Sequence, residues 1–187
     1  MTRILGGSGK GRRLKTPGGG ATRPTGARVR RSFFDALAAR IPGCRFLDPF
    51  AGSGAVGVEA LSRGAGRVVL VDESRAAVAA IRSNLALLGA AAARALVWRR
   101  EARAALEALA AAGESFDVVY LDPPYASTLY EPLLEALDAR GLVAAGGVVA
   151  AEHFHKTPLP ATIGALVRTR ELRAGEHRLT IYNRRAD

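Results

Sequence analysis

The stretch Asp48-Pro49-Phe50-Ala51-Gly52-Ser53-Gly54-Ala55-Val56-Gly57 decides the fold of this 187-residue chain. It follows a short apolar run, and Gly52, Gly54 and Gly57 spell the pattern GxGxxG. Glycines allow a tight turn and a close approach of the backbone to a ligand at the carboxyl edge of a parallel sheet. The stretch therefore predicts a strand, a ligand-binding turn and a helix, in that order.

Short apolar runs alternate with helical patterns along the chain. In chain order the runs are RFLD, RVVLVD, ARALVW, FDVVYLD and GGVVAAE. This alternation predicts βα units around a parallel sheet. After Glu152, LVRTREL and HRLTIYN follow without a helix between them and with a turn at Gly175. We expect an α/β, Rossmann-like fold with a mostly parallel, seven-stranded sheet that ends in an antiparallel C-terminal hairpin.

Capping residues predict where the helices begin and end. The first helix has Thr25 as its expected N-cap, and its apolar side chains recur every four residues, at Val29, Phe33, Leu37 and Ile41. The helix after the second strand has Ser74 as its expected N-cap and ends near Gly89. The next two helices are expected to end at Gly113 and Gly141, because glycine commonly follows a helix C-terminus.

Nearly all of the net charge of +10 lies near the amino terminus. Residues 1–31 hold nine basic side chains and no acidic one, whereas residues 32–187 hold eighteen basic and seventeen acidic ones. Residues 1–24 predict a small basic β-hairpin and loop, followed by the main domain over residues 25–187. A basic segment without acids favours phosphate binding, although a solvated surface is the alternative. The expected phosphate-binding side chains are Lys10, Arg12, Arg13, Lys15, Arg23, Arg28, Arg30 and Arg31.

Composition argues against several classes of protein. Cys44 is the only cysteine, so an intramolecular disulfide is excluded, and we expect a small buried side chain there. The three histidines add no zinc-ligand spacing, and His153 and His155 are expected to be polar residues at a strand end. The sequence MTRILGGSGKGRRL lacks the apolar core of a signal peptide, and no later uncharged segment is long enough to span a bilayer. We expect a cytoplasmic protein without a metal or a membrane partner.

Two acidic residues frame the ligand expected at the glycine turn. Asp72 ends the second strand, twenty residues after Gly52, where it could accept hydrogen bonds from ribose hydroxyls. The same spacing fits a dinucleotide, so an NAD-dependent oxidoreductase is an alternative. Asp48 adds a carboxylate that would attract a cationic amino-acid group and repel a pyrophosphate, unless it only caps the helix. S-adenosylmethionine carries an ammonium, a sulfonium and a ribose, and it is the expected cofactor.

The sequence Asp122-Pro123-Pro124-Tyr125 directly follows the apolar run FDVVYL. The two prolines fix the backbone and remove two donors, so carbonyl groups and the aspartate can face a substrate as acceptors. Tyr125 offers a stacking surface. An exocyclic NH2 group of a base would fit this arrangement, with Asp122 and a proline carbonyl orienting its nitrogen towards a methyl donor. Catalysis would then come from positioning and electrostatics, whereas an ordinary loop is the alternative interpretation.

The motifs DPFAGSG, VLVDES and DPPY, in this order, resemble class I methyltransferases of the amino-methylating group. Further stretches, RILGG, GRRLKTP, RPTGARVRRSFFDAL and LDPFAGSGAVGVEALSRGA, resemble the bacterial family that makes N2-methylguanosine in 16S ribosomal RNA. This resemblance covers nearly the whole chain, and only GEHRLTIYNRR is a loose version of the family's closing strand.

The resemblance implies a role for each candidate residue. The methionine part of the cofactor would be held by Asp48, Phe50, Ala51, Gly52, Ser53 and Gly54. Asp72 would hold the ribose, and Glu101 would lie near the adenine amino group unless it is only an exposed carboxylate at a helix N-terminus. The catalytic residues would be Asp122, Pro123, Pro124 and Tyr125, and the basic side chains named above would bind RNA.

The resemblance also bears on the substrate and the partners. It implies an enzyme that acts on ribosomal RNA, either free or within an assembled small subunit, and we expect this enzyme to be a monomer. A DNA adenine-N6 methyltransferase remains an alternative, because adenine also presents an exocyclic amine. A basic RNA-binding module on a catalytically silent nucleotide-binding fold is the third hypothesis.

Overall fold

An eight-stranded sheet with helices on both faces organises the chain in the computed structural model, which describes residues 2–17, 26–124 and 127–185. The strands are β1 (Arg45–Asp48), β2 (Arg67–Asp72), β3 (Ala95–Arg99), β4 (Phe116–Leu121), β5 (Val143–Phe154), β6 (Thr162–Ile163), β7 (Leu166–Ala174) and β8 (His177–Arg184). Their order in the sheet is β3-β2-β1-β4-β5-β8-β7-β6. The first five in this order are parallel, and β8, β7 and β6 are antiparallel to their neighbours. The predicted α/β fold is confirmed, and the two-residue β6 is the strand beyond the expected seven.

The helices are α1 (Ala27–Ala36), α2 (Ala55–Ser62), α3 (Arg75–Ala86), α4 (Ala102–Ala111) and α5 (Tyr130–Ala139). The Ser74 hydroxyl accepts a hydrogen bond from the Ala77 N–H, as expected of an N-cap. Gly113 and Gly141 adopt φ angles of 70° and 66° just after the ends of α4 and α5. The N-cap of α1 is Gly26, which has no side chain to offer, while Thr25 lies outside the described residues. No helix among the described residues is long and apolar enough to cross a bilayer.

Apolar side chains fill the space between the sheet and the helices on each face. Phe46 belongs to the cluster that includes Phe33 and Phe34 of α1, whereas its neighbour Leu47 belongs to the cluster beneath α4 and α5. Successive strand residues point to opposite faces, so a strand covered on both sides must be apolar throughout. This explains the uninterrupted apolar runs in the sequence. Cys44 is buried in the first cluster, as expected.

Residues 2–17, called the arm below, fold back on themselves. A single antiparallel bridge joins Arg3 to Arg13, so the arm has the shape of a hairpin without two full strands. Ile4 and Leu14 are buried in the cluster on the α1 face. The expected basic hairpin is thus a bridged loop that contributes to the core of the main domain.

Two buried polar side chains fasten the arm to the helices. The Ser62 hydroxyl of α2 donates to the Gly6 carbonyl at 2.6 Å and accepts from the Gly9 N–H at 2.9 Å. The Asn84 amide of α3 accepts from the Lys15 N–H at 2.8 Å and donates to the Lys15 carbonyl at 2.9 Å. These bonds fix the backbone of the arm while its basic side chains at positions 10, 12, 13 and 15 remain exposed.

Arg30 corrects one prediction from the sequence. Its side chain is only 1% exposed, and its Nε lies 2.9 Å from the Glu59 carboxylate of α2. Its guanidinium also donates to the Arg3 carbonyl of the arm at 2.5 Å. The expectation that Arg30 binds RNA phosphates is therefore wrong. Helical spacing alone did not separate it from the exposed Arg28 and Arg31, because its partner Glu59 lies far away in the sequence.

We expect Arg30→Ala to lower the free energy of unfolding by about 3 kcal/mol, because removing one partner leaves a buried charge short of its counter-ion. Glu59 would keep its other ion pair, with Arg63. The matched control is Arg31→Ala on the exposed side of the same helix, which should change stability by less than about 0.5 kcal/mol. Urea denaturation of the three proteins measures the difference, and equal midpoints would show that the buried pair contributes nothing.

Candidate active site

A cavity of about 810 Å³ lies at the carboxyl edge of the parallel strands. The ends of β1, β2, β4 and β5 contribute to its wall, together with the start of α1 and, from the arm, Thr16 and Pro17. Most of the predicted site residues line it: Arg28, Asp48, Phe50, Ala51, Gly52, Ser53, Asp72, Glu101, Asp122, Pro123 and Pro124. Ligands of doubly wound folds bind at this edge. The fold thus brings the glycine turn and the Asp-Pro-Pro segment to one cavity.

The glycine turn between β1 and α2 is shaped by its backbone and by Asp72. Gly52 and Gly54 adopt φ angles of 54° and 76°, which side chains disfavour. Gly54 is buried as the N-cap of α2. The two carboxylate oxygens of Asp72 accept hydrogen bonds from the Gly52 N–H at 2.8 Å and the Ser74 N–H at 2.9 Å. Asp72 therefore holds the turn in place while it lines the cavity.

Asp48 is a buried carboxylate at the end of β1. Burial raises its pKa well above the ordinary value, the charges of Asp122 and Asp72 raise it further, and the Phe50 N–H bond opposes these effects. That bond, at 3.3 Å, lies within the turn, and α2 is capped by Gly54, so Asp48 is not a helix cap. A cation entering the cavity would relieve the cost of this buried negative charge.

Glu101 is the N-cap of α4. Its two carboxylate oxygens accept hydrogen bonds from the Arg103 N–H at 3.0 Å and the Ala104 N–H at 2.9 Å. The side chain is exposed and also lines the cavity. The capping interpretation of Glu101 is thus correct, and its contact with an adenine group stays a prediction.

The Asp-Pro-Pro segment leaves β4 at the cavity. Asp122 is half-buried, Pro123 is buried and Pro124 is exposed. The charge of Asp122 raises the pKa values of Asp48 and of a second buried acid, Glu152. Tyr125 lies outside the described residues, so its stacking role stays a prediction.

Glu152 is a cavity residue that sequence reasoning missed. It is 2% exposed, and its carboxylate accepts a short hydrogen bond from the Tyr120 hydroxyl and lies 3.1 Å from Nδ1 of His177. The Tyr130 hydroxyl donates to the Glu152 carbonyl at 2.6 Å. The run GGVVAAE predicted only a strand, although an acid at the carboxyl end of an apolar strand is the feature that marked Asp48 and Asp72.

Burial raises the pKa of Glu152 to about 8, and the charge of Asp122 adds to the effect. The hydrogen bond from Tyr120 opposes it. An ionised Glu152 is therefore costly unless a donor or a cation reaches it from the cavity.

The histidines at the end of β5 have partners within the protein. His153 Nε2 lies 2.8 Å from the Thr180 hydroxyl, and its Nδ1 lies 3.0 Å from the Phe154 carbonyl. His155 Nδ1 lies 3.0 Å from the Glu176 carbonyl. These contacts agree with polar residues at a strand end.

Exposed basic side chains lie on the arm and on α1. Those predicted to bind phosphates are Lys10, Arg12, Arg13, Lys15, Arg28 and Arg31, and Arg3 of the arm is exposed as well. Arg28 also lines the cavity, so the basic surface reaches its wall. Arg23 lies outside the described residues. This arrangement would let a polyanion bound along the arm reach the cavity, although its RNA contacts stay a prediction.

Comparison with known proteins identifies the family. The model of the family described as "Conserved hypothetical protein 95" matches residues 2–183. The chain belongs to this family. The Escherichia coli ribosomal RNA small subunit methyltransferase D is 36% identical, over 98% of this chain and 90% of that protein. A Bacillus subtilis protein described as a candidate rRNA methyltransferase is 39% identical, over 98% of this chain and 99% of that one.

A solved structure agrees with these relatives. An Escherichia coli protein described as a candidate methyltransferase is 33% identical, with a TM-score of 0.85 over 99% of this chain and 98% of that chain. The family resemblance and the class I methyltransferase fold predicted from the sequence are therefore confirmed. The chain is a member of a methyltransferase family.

We expect Glu152 to make this family member less stable as the pH rises from about 4.5 to about 8. A carboxyl with a raised pKa keeps its proton longer in the folded state, so the unfolded state releases its proton first and gains stability. Glu152→Gln should remove this decline, which is of the order of a few kcal/mol. Urea denaturation of both proteins near pH 5 and pH 8 measures it. A decline of equal size in both proteins would mean that it arises from other groups.

Proposed function

We propose that this protein transfers a methyl group from S-adenosylmethionine to the exocyclic N2 amine of a guanine in small-subunit ribosomal RNA. The observation that carries the proposal is one cavity lined both by the glycine turn and by the Asp-Pro-Pro segment, with the basic arm in its wall. The name of the Escherichia coli relative, ribosomal RNA small subunit methyltransferase D, supports ribosomal RNA as the substrate. The sequence motifs resemble those of the family that methylates guanine N2 in 16S ribosomal RNA, and this resemblance supports guanine N2 as the methylated atom.

The charges around the glycine turn favour S-adenosylmethionine over NAD. Asp48 and Asp72 present two carboxylates at the same end of the cavity, and the buried Asp48 has a raised pKa. A ligand with an ammonium and a sulfonium would stabilise both acids, whereas a pyrophosphate would be repelled. Each carboxylate oxygen of Asp72 accepts one hydrogen bond from the protein, so each can accept another from a ribose hydroxyl.

The methyl-transfer step needs an oriented amine. The bound cofactor supplies an electrophilic methyl group on its sulfonium. Asp122 and a proline carbonyl would accept the two amine N–H bonds and direct the nitrogen lone pair at that methyl group. Asp122 would stabilise the positive charge that the nitrogen gains when it accepts the methyl group, and its carboxylate would then accept the proton that the nitrogen releases.

Three alternatives can be weighed against this cavity. A DNA adenine-N6 methyltransferase would use the same turn and the same Asp-Pro-Pro segment, so only the substrate separates it from our proposal. A catalytically silent RNA-binding module would not need a cavity lined by acids, and this cavity is lined by six, at positions 48, 72, 73, 101, 122 and 152. An NAD-dependent enzyme is opposed by the buried carboxylate of Asp48.

The direct test supplies the protein with methyl-labelled S-adenosylmethionine and unmodified small-subunit RNA, either free or in assembled particles. Mass spectrometry of the digested RNA identifies the methylated nucleoside, and fragment mapping locates it. We expect N2-methylguanosine at one position. Label found only in adenine or only in protein would overturn the substrate assignment, and calorimetric binding of NAD without binding of S-adenosylmethionine would overturn the cofactor.

We expect Asp122→Ala to lower the single-turnover rate by about 100-fold, because it removes an oriented acceptor for the amine. Asp122→Asn should lose less, since its carbonyl can still accept one hydrogen bond. Both variants should bind S-adenosylmethionine with nearly wild-type affinity, as measured by calorimetry. A wild-type rate for the alanine variant would remove Asp122 from the mechanism.

The arm is expected to bind RNA through phosphates. Replacing Arg12, Arg13 and Lys15 together by alanine should reduce the salt dependence of RNA affinity, by up to roughly two units in the slope of log affinity against log salt. Cofactor affinity should not change. Filter binding at several salt concentrations measures the slope.

The matched control removes three arginines from the opposite edge of the sheet. Arg45 and Arg67 begin β1 and β2, and Arg140 follows α5, so replacing them also removes three positive charges but far from the cavity. Their ion pairs are largely exposed and contribute little stability. Equal slopes for the two triple variants would contradict a specific role for the arm.

A further inference from the structure

Glu152 is a buried acid that has no role in the proposed methyl transfer. Asp48 and Asp72 are assigned to the cofactor and Asp122 to the amine, yet Glu152 also lines the cavity and is only 2% exposed. Burying a carboxylate is expensive unless it is fully paired. A protein that keeps such a group at the wall of its active site gains something from it other than stability.

The register of the sheet puts Glu152 beside Asp122. Leu121, the last residue of β4, pairs with Ala151 of β5 in parallel, so the next residues are Asp122, directly after β4, and Glu152, still on β5. Neighbouring strands lie about 4.8 Å apart, so these two residues are neighbours across the sheet. Two carboxylates therefore stand side by side in one wall of the cavity.

The donors on guanine match this pair of acceptors. Its Watson–Crick edge carries the N2 amine and, on the adjacent ring atom, the N1–H, so two neighbouring donors point in the same direction. Adenine presents its N6 amine beside N1, which has a lone pair and no hydrogen. A carboxylate facing that ring atom accepts a hydrogen bond from guanine and repels adenine.

We propose that Glu152 accepts a hydrogen bond from the N1–H of the target guanine, while Asp122 holds the N2 amine, and that Glu152 thereby selects guanine over adenine. This inference rests on the proposed function and names the residue that determines its substrate. Glu152 contacts the base through an atom that does not react, so its role is recognition of the substrate.

The partners of Glu152 suit this role. The Tyr120 hydroxyl binds one carboxylate oxygen and His177 Nδ1 lies 3.1 Å from the other, which fixes the orientation of the group. Each oxygen keeps a further lone pair for a ligand. Burial and the charge of Asp122 raise the pKa of Glu152 to about 8 in spite of these partners, so the ionised form is left short of stabilising contacts. An N–H donor from the substrate supplies the missing stabilisation.

The test compares guanine with 2-aminopurine at the methylated position, which the mapping experiment identifies, in RNA assembled by ligation. 2-Aminopurine keeps the amine at the same place, but its N1 is an acceptor. We expect the wild-type enzyme, assayed above pH 8 so that Glu152 is ionised and can only accept a hydrogen bond, to prefer guanine by roughly 10- to 100-fold in kcat/KM, the range of discrimination for a base-edge contact. Glu152→Gln should reduce this preference to near unity or reverse it, because its amide can donate to the acceptor N1.

2-Aminopurine also lacks the O6 oxygen of guanine, and this difference affects the wild-type enzyme and Glu152→Gln alike. Dividing the guanine preference of the wild-type enzyme by that of the variant therefore isolates the contact at N1. Glu135→Gln, an exposed carboxyl on α5, is the matched control and should keep the wild-type preference. Glu152→Gln should fold, since the buried charge is removed, and its melting temperature checks this.

The possible failures are distinguishable. If the wild-type enzyme makes N2-methylguanosine and Glu152→Gln keeps its full preference for guanine, the recognition role is wrong and the proposed function stands. A wild-type enzyme that methylates no guanine at N2 would overturn both. A variant that loses activity equally on guanine and 2-aminopurine would show that Glu152 only supports the structure of the site.

Discussion

The structure depends on one constraint of parallel sheets, which bring the carboxyl ends of their strands to a single edge. Here β1 and β2 end in Asp48 and Asp72, Asp122 follows β4, and Glu152 lies near the end of β5. The charge of Asp122 acts on both Asp48 and Glu152, and the raised pKa values of these two acids reflect burial together with this repulsion. Only a ligand rich in cations and donors relieves such a site, so the sheet topology itself selects the chemistry of what binds.

The basic arm carries charge opposite in sign to that of the acidic cavity, and its position relative to the cavity is fixed by hydrogen bonds. Asn84, which is fully buried in α3, bonds to Lys15 of the arm and also donates to the Ser53 carbonyl of the glycine turn at 2.8 Å. A single amide thus fixes the end of the arm against the turn that shapes one side of the cavity. The position of the basic surface relative to the acidic cavity is therefore fixed. A polyanion that bound along the arm and inserted one base into the cavity would need such a fixed arrangement.

The parts of the site that lie in continuous motifs could be predicted from the sequence, because turns and strand ends leave a local pattern. The glycine turn, Asp72 and Asp122 are of this kind, and all line the cavity. Glu152 was missed because its importance comes from β4 and β8, which place Tyr120 and His177 around it. Arg30 was misassigned for the same reason, since its partner Glu59 is a contact of the folded chain. Pairings between distant elements leave no periodicity to find.

The two most deeply buried acids outside β1 show why burial alone does not reveal function. Glu59 is fully buried, but Arg30 and Arg63 both bind its carboxylate, so its charge is neutralised within the protein and stabilises the packing of α1 on α2. Glu152 is almost as buried, yet it has a tyrosine and a histidine as partners and keeps a pKa of about 8. The two acids differ in how far their partners stabilise the ionised carboxylate. A buried acid whose charge is neutralised by its partners stabilises the fold. A buried acid at a cavity wall whose ionised form lacks such partners can gain them from a ligand that donates hydrogen bonds.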